Sequence, residues 1–146
     1  MKIISVIFLV FTLSGCSGTK NQYKIEQEET VSFKEAYYQE WVAGVEGGGS
    51  GLNIYLEPFA SDSNVELKGI YFRENYTELR TKKENSYHGF IRGEVNWKEE
   101  DNKENQEVEI PFSLKKNEAV VSFLQKGKLK YIKIELPEKK LEMVPQ

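Results

Sequence analysis

The chain has 146 residues, with 20 basic against 23 acidic side chains, a formal charge of −3, one histidine and one cysteine. That length suits one domain with one hydrophobic core, and mild acidity without a basic face disfavours nucleic acid as a partner. A lone cysteine excludes an intrachain disulfide, and one histidine with one cysteine is too small a ligand set for zinc.

Met1 and Lys2 make a short basic start, and residues 3–13 are apolar apart from Ser5 and Thr12. This is the n-region and h-region of a secretory signal. As a helix the apolar run would rise about 17 Å, well short of the roughly 30 Å hydrocarbon core, so it is too short for a stable transmembrane helix. It ends in Leu13-Ser14-Gly15-Cys16, which resembles the lipobox of bacterial lipoproteins. Small residues let the scissile bond enter a narrow protease site in extended form, and the cysteine thiolate is the nucleophile that takes up the lipid. The resemblance implies cleavage between Gly15 and Cys16, a diacylglycerol thioether on Cys16, and acylation of the new amino group by a chain such as palmitate. Two or three buried acyl chains, at about 0.8 kcal/mol per CH₂, anchor a protein stably. Ser17 follows Cys16, in place of the Asp that resembles an inner-membrane retention signal. In a Gram-negative cell this implies a lipid anchor in the outer membrane, with the domain facing the periplasm or the cell surface.

The expected organisation is a signal peptide over 1–15, the lipidated Cys16 with a flexible tether to residue 30, a β-domain over 31–137 and a C-terminal tail over 138–146. Residues 17–30 are polar except for Tyr23 and Ile25, and fourteen such residues reach about 20 Å as a coil. In 31–43, Val31, Phe33, Tyr37, Trp41 and Ala43 share one parity. Phe33, Tyr37 and Trp41 are also four apart, as in a helix, but the β-formers and the glycines that follow favour a strand. Residues 52–56 alternate cleanly. The glycine-rich stretch between these two runs therefore reads as a hairpin connection.

Strands are expected at 65–72 and 77–81, joined through residues 73–76, and again at 86–95. Residues 98–106 are nearly all charge and amide and read as an exposed loop. In 107–114, Val108, Ile110, Phe112 and Leu114 share one parity beside Pro111, which suggests an edge strand. The last hairpin is defined by a two-residue turn at Lys126-Gly127. That turn pairs Gln125 with Lys128, Phe123 with Lys130, Val121 with Ile132 and Ala119 with Ile134, and so collects an apolar face. About eight short strands without a convincing long helix predict an all-β fold, a single antiparallel sandwich or barrel.

Few residues carry recognisable chemistry. Gly44 to Ser50 has the glycine spacing of a phosphate-binding loop, but Ser50 stands where the lysine must be and Glu46 adds negative charge. A plain or partner-contacting loop is the better account. The candidate contact residues are Glu46, Gly47, Gly48, Gly49, Ser50 and Gly51, because glycines allow close approach. Trp97, beside the charged loop, joins them. His88 lacks an evident triad, since Asp62 and Asp101 are the only aspartates and both sit in turn-like segments, so a structural role is expected. Asp62 to Glu66 begins like a calcium loop, but Leu67 replaces the required glycine. Glu74, Glu78, Glu94, Glu99, Glu100 and Glu104 offer carboxylates, and nothing in their spacing selects a catalytic pair. Asn75-Tyr76-Thr77 fits the N-glycosylation pattern by chance. No catalytic residue, metal ligand or cofactor is therefore assigned.

The run from Ala36 to Leu56 is similar to a segment of small Bacteroidota lipoproteins, on Tyr38-Gln39, Trp41, Ala43-Gly44, the Gly47–Gly51 loop and Asn53. Tyr71-Phe72-Arg73 adds to the likeness. The resemblance covers about half of the mature chain; it implies a lipoprotein location and a β-domain and assigns no activity. Three functions follow as expectations: a non-catalytic binding or accessory domain for an envelope protein partner, an inhibitor or small-ligand barrel, and a hydrolase using carboxylates or His88.

Overall fold

A computed structural model describes residues 23–27, 30–59, 64–98 and 109–141. These hold eight strands: β1 (Phe33–Val42), β2 (Ser50–Pro58), β3 (Val65–Phe72), β4 (Asn75–Glu78), β5 (Arg80–Lys83), β6 (Ser86–Arg92), β7 (Glu118–Gln125) and β8 (Lys128–Glu135). They form two four-stranded antiparallel sheets, ordered β1-β2-β6-β5 and β4-β3-β7-β8. The fold is a β-sandwich. The lipobox, Asp62, Asp101 and residues 99–106 of the charged loop fall outside the described residues.

Alternation builds the core. Ile54 and Leu56 of β2 face Ile70 and Phe72 of β3 and Val121 and Phe123 of β7, all nearly or fully inaccessible. Each such side chain contributes about 1.5–3 kcal/mol on burial, which is how a domain without a disulfide is held. A bulge between Leu67 and Gly69 leaves Lys68 unpaired, so that Leu67 and Ile70 both point inward. The β7–β8 register is the one expected, with Val121 opposite Ile132 and Gln125 opposite Lys128. A two-residue turn leaves no slack in which the pairing can slip; here Lys126 and Gly127 both have positive φ.

Three expectations need correction. Residues 109–114 form no strand; their apolar parity serves to lay Phe112 over the outer face of the β4-β3-β7-β8 sheet. There Phe112 meets Tyr71 at 5.1 Å, Tyr131 at 5.5 Å and Tyr23 at 5.9 Å between ring centroids. Residues 77–81 are divided at Leu79, which is buried and carries the chain from one sheet to the other; its N–H donates to Lys68 O at 2.9 Å. The strand expected over 86–95 ends at Arg92.

In β1 the aromatic parity of Tyr37 and Trp41 lies on the outer face, and Tyr38 is the residue that enters the core. A β-bulge between Phe33 and Glu35 lets Phe33 also pack on the core.

The chain ends cover the neighbouring sheet edges. Glu26 N–H donates to Tyr131 O at 2.8 Å beside an Ile25–Tyr131 parallel bridge, so the expected tether docks on β8 from Tyr23 onward. Tyr38 N–H donates to Pro137 O at 3.0 Å and Lys139 N–H to Tyr38 O at 2.8 Å, which extends the folded unit into the expected tail. Such pairing removes the free donors and acceptors of an edge strand.

Candidate functional site

The two outer faces differ. The outer face of β4-β3-β7-β8 is closed by Tyr23, Phe112 and their neighbours. Burial, with Tyr131, Tyr76 and Tyr23 alongside, pushes the Tyr71 phenol up to about 12. The outer face of β1-β2-β6-β5 carries Tyr37, Gln39 and Trp41 from β1, opposite Tyr55, Asn53 and Gly51 of β2, with His88, Phe90 and Arg92 of β6 beyond them. Its ring contacts come from its own strands, joined at the margins by Trp97 and Lys139. Tyr37 stacks on Tyr55 at 5.1 Å and Tyr55 meets His88 at 5.1 Å, while Lys139 Nζ stands 4.7 Å from the Tyr37 centroid. These rings spend their faces on one another, as cross-strand aromatic pairs do.

The glycine loop and Trp97 are brought together. Asn96 enters the loop between β1 and β2. Its Nδ2 donates to Ala43 O at 2.9 Å and Val45 O at 2.8 Å, and its Oδ1 accepts from Gly47 N–H at 3.1 Å. Gly49 N–H donates to Asn96 O, and Ser50 Oγ accepts from Val95 N–H at 3.1 Å. Gly49 has φ +90, and a Cβ there would lie 2.7 Å from Trp97 Cη2. The glycine is required both for its left-handed backbone and for the ring that rests on it. Trp97 Nε1 donates to Gly93 O at 2.7 Å, and the Arg92 guanidinium lies 4.0 Å from the Trp97 ring centroid. The loop is therefore filled by the protein's own side chains rather than hollow. What it presents outward is apolar: Val42, Val45 and Val95 are 64%, 69% and 62% exposed.

Below this tip, an open groove of about 480 Å³ is lined by Tyr76, Thr77, Glu78, Arg80, His88 and Phe90. Arg80 is the cross-strand partner of His88. Phe90 lies across Gly51, where a Cβ would come 2.7 Å from its Cε2, and Tyr76 lies across Gly69 in the same way. Both rings stay exposed, at 38% and 36%. Among the described residues neither Glu78 nor Arg80 belongs to an ion pair. Glu78 is the one carboxylate lining the groove, so a two-carboxylate cleavage lacks its second member there. No group of three or more potential metal ligands occurs among the described residues.

Sequence alone does not single out Arg80, Tyr76 or Phe90, because only the β5–β6 register, shifted between Thr81 and Lys83, sets Arg80 beside His88. Comparison with protein-family models, curated proteins and solved structures finds no match for this chain.

Burial, and secondarily the charge of Lys82, lowers the His88 pKa below 6.5. The folded state thus disfavours the imidazolium, and the unfolded chain takes up the proton first as pH falls. Stability from the neutral imidazole is fully present above pH 6.5 and declines below it, toward the lowered folded pKa. Urea midpoints at about pH 7.5 and about pH 5.5 should differ in the wild type and differ less in His88→Gln. Equal differences in the two proteins would refute this.

Proposed function

We propose that the chain is a bacterial envelope lipoprotein, acylated at Cys16 and held at the outer membrane, whose sandwich is a non-catalytic binding or accessory domain. The inequality of the two outer faces carries the reading. One face is closed by the chain's own N-terminal segment and Phe112, while the other displays aromatic, amide and cationic side chains and borders an open groove shared with β4. The anchor itself is supported by Leu13-Ser14-Gly15-Cys16 at the end of its apolar run.

Tyr23, docked beside β8, lies seven positions after Cys16. At about 3.3–3.6 Å per residue those positions span at most about 25 Å, so the domain sits close to the lipid surface. Ile25 runs parallel to β8, so the chain arrives from the Lys126-Gly127 end. Arg73, paired with Glu40, marks the opposite end, where Val42, Val45, Val95 and the loop residues Glu46, Gly47, Gly48, Gly49, Ser50 and Gly51 gather. On this reading the candidate contact loop and Trp97 would be the parts offered to an envelope protein partner, with the lipid at the opposite end.

Mass spectrometry of the mature protein should find acylated Cys16 as its first residue, and Cys16→Ala should accumulate as uncleaved precursor. A processed chain with an unmodified thiol would overturn the anchor. Crosslinking through a photoreactive residue at Val45 in native membranes should capture a stoichiometric envelope protein. Capture of a soluble lytic enzyme would make the domain an inhibitor instead.

A further inference from the structure

We infer that the groove between β4 and β6 is a saccharide-binding site, with Phe90 and Tyr76 as its ring walls and Arg80, Glu78, His88 and Thr77 as its polar contacts. This rests on the binding-domain reading and gives it a ligand class.

The walls come first. Phe90 and Tyr76 each lie across a glycine of a neighbouring strand, Gly51 and Gly69, at separations no Cβ would permit. Each ring is thus backed by main chain on one side and steadied by a second ring, Phe90 by Trp41 at 6.0 Å and Tyr76 by Tyr71 at 4.8 Å between centroids, and each keeps over a third of its surface exposed. An aromatic face carries negative charge density, and it attracts the slightly positive C–H face of a pyranose. On the sheet face that carries Phe90, the rings of Tyr37, Tyr55 and His88 pack on one another. Phe90 and Tyr76 are the six-membered aromatic rings that line the groove, with the His88 imidazole between the polar contacts.

The polar set is mixed in a way that suits hydroxyls. Arg80 only donates, the Glu78 carboxylate accepts, and neutral His88 and the Thr77 hydroxyl do both. A sugar hydroxyl is itself donor and acceptor, so a ring of them needs both kinds of partner. A phosphate or carboxylate ligand would be drawn to Arg80 but would meet the Glu78 carboxylate in the same groove. A cationic ligand would meet Arg80, with Lys82 near His88. The near-balance of charge selects a neutral polyol. A volume of about 480 Å³ lies within the range of roughly 300–1,000 Å³ usual for small-molecule sites.

The test uses the full-length protein, in a detergent without a sugar headgroup, on an array of soluble, chemically defined oligosaccharides that includes glucan, mannan, chitin and peptidoglycan fragments. Retention on at least one series is expected. Arg80→Gln and Phe90→Leu should each weaken it by about tenfold, and Lys128→Gln, on the far hairpin, should leave it unchanged. Arg80 is exposed on an edge strand, so its variant should keep the wild-type unfolding curve and remain informative even if Phe90→Leu folds poorly. An empty array, or retention unaltered in Arg80→Gln, would overturn the saccharide site. A crosslinked envelope partner together with an empty array would remove this inference while leaving the binding-domain reading intact.

Discussion

Replacing Asn96 with alanine should lower the stability of the domain by about 3 kcal/mol, from three lost hydrogen bonds at about 1 kcal/mol each, with some of the strain of a left-handed alanine added. The Asn96 amide holds Ala43 O, Val45 O and Gly47 N–H at once, and its own φ is +63. Alanine returns three main-chain groups of the glycine loop to water or to nothing, at a backbone angle that suits asparagine better. The midpoint of thermal unfolding should fall by about 10 °C or more.

Asn96→Gly separates the two causes. It keeps the backbone angle without cost and loses the same bonds, so it should recover about 1 kcal/mol of the deficit. Asn96→Asp retains the acceptor for Gly47 N–H but turns a carboxylate toward the Ala43 and Val45 carbonyls, and it should fare no better than alanine. Trp97, on the next residue, reports the event directly: its fluorescence should shift toward that of exposed indole as it leaves Gly49. An Asn96→Ala protein within about 0.5 kcal/mol of wild type would show that the loop holds its shape by other means.

The glycine loop also marks where sequence legibility ends. A hairpin between residues 43 and 52 follows from local signals, because glycines stop a helix and a clean alternation resumes after them. Its filling does not follow, since Asn96 and Trp97 reach it from more than forty positions away, and only the β2–β6 pairing brings Arg92 beside Gly51. The same holds for Phe90 on Gly51 and Tyr76 on Gly69, where each glycine is explained by a ring on a different strand. The β7–β8 hairpin was legible down to its residue pairs because everything that sets it lies within one turn and two strands.

Residues 109–114 depart from the strand expected over 107–114 for a complementary reason. Period-two apolarity reports that one side of an extended segment is buried, and it is silent on whether the main chain joins a ladder. Here Phe112 packs on Tyr71 and Tyr131 without strand pairing. In β1 the expected period of two holds, and the outward parity is the more aromatic one. A strand that places its heaviest aromatics outward breaks the usual inside-apolar pattern, and such breaks gather at sites of contact.

Arg73→Met should cost about 2–3 kcal/mol, the second large effect, because Arg73 joins the two sheets at the end opposite the Lys126-Gly127 turn. Its Nη2 donates to Tyr38 Oη at 2.6 Å and its Nη1 to Glu40 at 3.0 Å, while the guanidinium lies 4.8 Å from the Tyr38 ring centroid and 5.1 Å from that of Phe72. Tyr38 is buried, and that burial, more than any neighbouring charge, raises its phenol pKa. The hydroxyl therefore stays neutral and depends on Arg73 for a partner. Glu40 is half exposed, so its ion pair adds at most about 0.5–1 kcal/mol. Most of the cost must lie with Tyr38 and the two rings. Tyr38→Phe in the wild type should then lose about 1 kcal/mol, and in Arg73→Met almost nothing, because the hydroxyl has already lost its donor. Arg73→Lys keeps the charge without the flat fork that spans both acceptors and covers both rings, and it should recover less than half of the loss. Equal unfolding midpoints for Arg73→Lys and wild type would reduce Arg73 to a simple charge. Additive losses for Tyr38→Phe and Arg73→Met would place the coupling between the sheets elsewhere.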